Sequence, residues 1–116
     1  MKTVIVTGGD NWTEKRVHQV LDNLHNGETI DRIVCGAGRG VDQFVFAWAM
    51  KNTVQACVYP TNWGKLGNTA FETRNHLMLS QHEPDLVVVF PGKARSANHL
   101  AKTAKDKGVQ TLDIDE

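Results

Sequence analysis

The chain has 116 residues, 41% hydrophobic and 22% charged, and its 13 basic and 13 acidic side chains leave a formal net charge of zero. That length predicts one domain over 1–116, burying ~65% of its unfolded surface without metal or disulfide staples. The charge balance excludes the basic excess of a dedicated duplex-DNA binder.

The first residues read as a strand rather than a secretory signal, and no apolar run approaches ~18 residues, so the expectation is a cytoplasmic protein away from membranes. Cys35 and Cys57 sit in apolar stretches and are expected as buried, reduced thiols. His18, His25, His76, His82 and His99 show no metal-ligand spacing, so neither a metal nor a cofactor is expected.

Lys2–Thr7 is a β-branched run stopped by Gly8-Gly9, a strand followed by a turn. From Thr13 to Asn26, Val17, Val20, Leu21 and Leu24 fall at i, i+3, i+4 and i+7, the spacing of an amphipathic helix that Gly27 is placed to end. Ile30–Cys35 is a second strand, and Gly36–Gly40 (GAGRG) a second turn. Val41, Phe44, Val45, Trp48 and Ala49 then mark another helix.

Val54–Tyr59 is the third strand. A loop, Thr61–Asn68, follows it, with Trp63 and Lys65 among small polar residues. Thr69 and Glu72 fit a capping box for a helix running to His82. Leu86–Phe90 (LVVVF) is a buried strand, Pro91–Arg95 a turn, and Ser96 the expected N-cap of a last helix ended by Gly108. Val109–Ile114 closes the chain as the fifth strand.

Strands alternating with helices through short connections predict right-handed crossovers: an α/β, Rossmann-like, three-layer fold with a five-stranded parallel sheet. The expected strand order is 3-2-1-4-5, which puts a ligand crevice between the carboxyl ends of the first and fourth strands. The loops opening there bring glycines together with Arg39, Lys65, Lys93 and Arg95, and Arg74 lies early in the third helix. Glycine-rich turns before helix N-termini suit phosphate.

The Gly36–Gly40 turn matches neither a Walker A loop nor the dinucleotide fingerprint. It reads as an anion site or as a plain tight connection. Asp42 either caps backbone N–H groups or meets the ligand. Trp63 is a packed loop anchor or a lid, and Trp12 a packing residue or a stacking one. Arg74 shares a helix face with Ala70, Phe71 and Met78, so it points into the crevice or lies on the surface paired with Glu72 or Asp42. His99 reads first as a helix-surface histidine.

Gly8-Gly9, C-G-A-G-R-G-V-D (Cys35–Asp42), Tyr59–Met78 with its R-N-H-L-M end, and P-D-L-V-V-V-F-P-G (Pro84–Gly92) occur in an order that resembles the SLOG superfamily, in its small stand-alone YspA-like branch. The resemblance implies a Rossmann-like fold that binds nucleotides or nucleotide-derived ligands and is commonly oligomeric, which makes a homodimer the expectation. In the related LOG phosphoribohydrolases, which split the N-glycosidic bond of nucleoside monophosphates, an R-x-x-x-M motif matches Arg74 and Met78. Their P-G-G-x-G-T-x-x-E motif survives here only as Pro91-Gly92, with Lys93, Arg95 and Ser96 replacing Gly, Gly and Thr, and His99 replacing Glu. A similar glycine turn occurs in the SLOG-type domain of the DNA-processing protein DprA, which binds single-stranded DNA.

The expected function is binding of a phosphorylated nucleotide or nucleotide-derived small molecule. The expected ligand-binding residues are Gly8, Gly9, Gly36, Gly38, Arg39, Gly40, Asp42, Trp63, Lys65, Arg74, Asn75, Pro91, Gly92, Lys93, Arg95 and Ser96. The alternative is an N-glycosidase using Arg74 with Asp10, Glu72 or Asp42 as its carboxylate, since a negative charge stabilises the oxocarbenium-like state. Single-stranded DNA binding is the third reading.

Overall fold

The structure is a computed structural model that describes residues 2–9, 11–60, 70–92 and 95–114. In chain order it comprises β1 (Lys2–Gly8), α1 (Glu14–Gly27), β2 (Ile30–Gly36), α2 (Val41–Lys51), β3 (Gln55–Tyr59), α3 (Ala70–His82), β4 (Leu86–Phe90), α4 (Arg95–Asp106) and β5 (Thr111–Asp113). The strands pair in parallel in the order β3-β2-β1-β4-β5, as the sequence predicts.

Period-two alternation sorts the strand residues between two cores. Val4, Val6, Ile33, Cys35, Leu86, Val88 and Phe90 face α1 and α2, where they meet Val17, Leu21, Val45 and Trp48. Ile5, Val34, Val87 and Val89 face α3 and α4, against Met78, Leu79, Leu100 and Ala104. Every residue of β4 is buried, which explains its uninterrupted apolar run. Each fully buried Val, Leu or Ile contributes about 1.5–3 kcal/mol, so these two layers hold the helices on the sheet.

Element ends differ from expectation in instructive ways. Thr13 caps α1 by accepting from the Arg16 N–H at 3.1 Å, but Gly27 is the last helical residue rather than the stop. Glu28 ends the helix, donating its N–H to the Leu24 carbonyl at 3.0 Å. Gly108 does end α4, with φ at +78°. The Val109 N–H is spent on the Ala104 carbonyl at 2.9 Å, which delays β5 to Thr111. Arg95 is already helical, so Ser96 is not the N-cap. The capping box expected at Thr69 lies outside the described residues. No helix among the described residues is long and apolar enough to cross a membrane.

Candidate functional site

β1 and β4 lie side by side, with Gly8 paired to Phe90. Beyond them the Gly9 N–H donates to the Phe90 carbonyl at 2.9 Å. A Cβ on Gly9 would stand 2.7 Å from the Gly92 Cα, so glycine here lets two backbones touch. A Cβ on Gly8 would stand 2.6 Å from Val41 Cγ2, the first side chain of α2. Trp12 joins this closure: its indole N–H donates to the Pro91 carbonyl at 2.8 Å, and its ring meets Phe90 edge-on at 5.1 Å. The space at Gly8 is therefore filled by apolar side chains and that at Gly9 by backbone.

The turn after β2 is built differently. Gly40 has φ +74° and ψ −119°, a conformation that side chains strongly disfavour, and it directs the chain into α2. Asp42, in the first turn of α2, reaches back so that its Oδ2 accepts the Gly38 N–H at 3.0 Å. A Cβ on Gly36 would collide with Arg74 Nη1 and lie 2.8 Å from Asp42 Oδ2. A glycine thus makes room for a guanidinium and a carboxylate arriving from two different helices.

Arg74 comes from α3 and is only 8% exposed. Its Nε and Nη2 donate to the Asn75 Oδ1 at 3.3 and 3.1 Å. Asn75 is fully buried and uses the other end of its amide on α4: Nδ2 donates to the Ser96 carbonyl at 2.9 Å and approaches His99 Nδ1 at 3.0 Å. That network fits one amide orientation, since a flipped amide would aim N–H groups at the guanidinium. It also requires the His99 proton on Nε2. His99 further meets Phe71 and His76 edge-on, each at 5.6 Å. Arg95 lies over the Phe71 ring at 5.7 Å.

Burial governs the electrostatics. It raises the Asp42 carboxyl above its ordinary value, opposed by the Gly38 N–H, the Arg74 charge and the Gly36 N–H. It lowers Arg74, opposed by Asp42 and then Cys35. A guanidinium nevertheless stays protonated in proteins. Burial, with the Asp42 charge second, pushes the Cys35 thiol up to about 12, which leaves this core cysteine protonated. Burial also lowers His99, against the upward pull of Glu72. His99 is thus biased toward the neutral form that its contact with Asn75 needs.

On the outer side of the turn lies a cavity of about 480 Å³. Its described lining runs along the turn from Gly36 to Arg39 and continues through Asp42, Gln43 and Phe46 of α2 to Val58 of β3. The N-cap Gly40 makes no side-chain capping bond, so the first N–H groups of α2 are not capped by that residue.

Of the residues singled out in the sequence, Gly36, Gly38, Asp42 and Arg74 come together in space, with Asn75 and Ser96 continuing the chain of contacts toward α4. Arg39 is exposed and lines the cavity. Gly8, Gly9, Pro91 and Gly92 form the packed wall described above. Glu72 faces solvent on α3, so among the described residues the carboxylate beside Arg74 is that of Asp42. Asp10, Trp63, Lys65 and Lys93 lie outside the described residues.

Sequence reasoning missed two features. His99 is half-buried within the Asn75 network rather than being a surface histidine, because α3 and α4 pack face to face. Gln43 and Phe46, exposed one helical turn apart, carried no motif. Of the two readings of Asp42, the structure shows the first, its Oδ2 accepting the Gly38 N–H. Its i−4 spacing to Gly38 was the available signal.

Residues 2–65 match the sequence model described as "YspA, cpYpsA-related SLOG family". The fold is similar to that of DNA processing protein A (DprA) from Streptococcus pneumoniae, at a TM-score of 0.78 and 19% identity. That match covers 98% of this chain and 50% of the DprA chain, so the chain spans half the length of that relative. No curated protein matches.

Proposed function

We propose, from the premise that this chain belongs to the YspA, cpYpsA-related SLOG family, that it binds a phosphorylated nucleotide or a nucleotide-derived small molecule at the carboxyl edge of the sheet. One observation carries the reading: a cavity of about 480 Å³, within the size range of small-molecule sites, opens on a glycine turn at the N-terminus of α2. Arg39 lines that cavity, and the buried Arg74 backs the turn at Gly36. The α2 dipole and the exposed Arg39 favour an anion there. Asp42 is a natural acceptor for ribose hydroxyls, because its Oδ2 is already anchored to the Gly38 N–H. The turn is thereby ordered from within, and the phosphoryl group is met by Arg39 and the first N–H groups of α2.

The test is titration calorimetry with a panel of nucleoside monophosphates against the wild type and Arg39→Glu. Arg39 is exposed, so reversing its charge leaves the core untouched. The expected result is binding of at least one nucleotide, weakened more than about tenfold by the substitution, since charge-assisted contacts contribute about 1.5–3 kcal/mol. Equal affinity in both proteins removes the anion assignment.

A second reading is favoured by the Asp42 carboxylate beside Arg74. Glycosidic cleavage of a nucleoside monophosphate needs a carboxylate near the ribose and a cation for the phosphate. Asp42 supplies the first, and Arg39 or Arg74 the second. Incubating the same panel with the protein and following free base by chromatography tests it. Release that disappears in Asp42→Asn supports hydrolysis, and no release from any member leaves binding alone.

A further inference from the structure

Phe46 and Val58 are large apolar side chains left 44% and 40% exposed. Isolated exposed apolar residues need no explanation. These two, however, come from different elements and line the same cavity. Their position is set by the fold: β3 is the edge strand beside β2, and the β2–β3 register pairs Cys35 with Val58. Val58 therefore sits one residue short of the glycine turn that begins at Gly36.

Helix α2 completes the arrangement. Asp42, Gln43 and Phe46 stand at i, i+1 and i+4, which brings them onto one side of the helix. The wall of the cavity therefore grades from charged and glycine-rich at the turn, through an exposed primary amide, to a ring and a β-branched side chain one turn further on. A nucleoside phosphate has the same gradient: an anion, a hydroxylated sugar, and a flat π-surface edged with donors and acceptors.

We infer that Phe46 and Val58 form the walls of a nucleobase subsite, with the Gln43 amide reaching the edge of the base. This rests on the nucleotide reading above and extends it by naming which part of the ligand lies where. A phenyl ring stacks on any base, so Phe46 gives affinity without choice. The Gln43 amide carries both a donor and an acceptor and so distinguishes one base edge from another. The ribose lies between base and phosphate, beside Asp42, and the phosphoryl group lies at Arg39.

The experiment compares titrations of AMP, GMP, CMP and UMP with titrations of ribose 5-phosphate, using wild type, Phe46→Ala and Gln43→Ala. Both side chains are exposed, so neither substitution opens a core cavity. The wild type is expected to bind at least one nucleotide about tenfold more tightly than ribose 5-phosphate, the scale of one stacked base. Phe46→Ala should erase that difference while leaving ribose 5-phosphate unchanged, and Gln43→Ala should narrow the spread among the four bases. A wild type that binds ribose 5-phosphate as tightly as any nucleotide overturns the base subsite and spares the phosphate site. A wild type that binds none of the five overturns both. Equal weakening of all ligands by Phe46→Ala also overturns the subsite. So does a shift from dimer to monomer in sedimentation with base preference intact, which would assign the ring to a second copy of the chain.

Discussion

Two glycine turns stand at the same edge of the sheet and do different work. After β1, the space a side chain would occupy at Gly8 is filled by Val41 and Phe90, and that at Gly9 by the backbone of Gly92. After β2, the corresponding space at Gly36 is filled by Arg74 and Asp42, and that at Gly38 by Asp42. One turn is a seam between two loops. The other is a slot for charge. Glycine in a sequence announces only a missing Cβ, and the group that moves into the gap decides what the turn is for.

The sharpest way to test this contrast is to empty the slot. Arg74→Met leaves the Asn75 Oδ1 without its guanidinium donors and strips the nearby positive charge from Asp42. Removing one partner of a buried charged pair costs about 3–5 kcal/mol, and the partial exposure of Asp42 places this case at the lower end. Urea denaturation gives the number. A loss of stability below about 1 kcal/mol would show that the charges after β2 are no more integral than a surface pair.

A matched pair of smaller changes follows. Gly9→Ala drives a methyl into backbone, where nothing can swing aside, and should lose about 1–3 kcal/mol. Gly36→Ala meets the ends of side chains, so its cost should depend on them. In an Arg74→Met background that cost should shrink, with a coupling of about 0.5–3 kcal/mol, whereas Gly9→Ala should add independently. Additivity in both cycles would erase the distinction between the turns.

Much of this was legible in the residues. The helical spacing of Arg74 with Ala70, Phe71 and Met78 put a cation on a buried face, and it is buried. The unbroken run Leu86–Phe90 announced a strand covered on both sides, and alternating strands and helices carried the topology. What was not legible depends on meetings between distant elements. Gly8 and Gly36 look alike in sequence, because Val41 and Arg74 arrive from outside each turn. His99 looked like a surface residue because its contacts depend on how α3 crosses α4. The apolar end of the cavity was hidden because it exists only where edge strand β3 passes α2.

The smallest expected effect is one of pH. Burial holds the Asp42 carboxyl above its ordinary 3.8. Between 3.8 and that raised value the native state binds a proton that the unfolded chain has lost. Stability from this group therefore falls as pH climbs through the window and is regained on acidification. Asp42→Asn keeps an oxygen for the Gly38 N–H but should flatten that slope in denaturation curves taken from pH 3.5 upward, while Gly9→Ala should leave it as it is. An unchanged slope in Asp42→Asn would mean that the turn after β2 is as insensitive to protons as the turn after β1.

The amide of Asn75 has a consequence for how α3 and α4 sit together. With its oxygen committed to α3's own guanidinium and its nitrogen to the start of α4, one side chain acts as a spacer whose two ends cannot be exchanged. Helices α3 and α4 are thereby joined at a set distance through a single rigid plane of atoms.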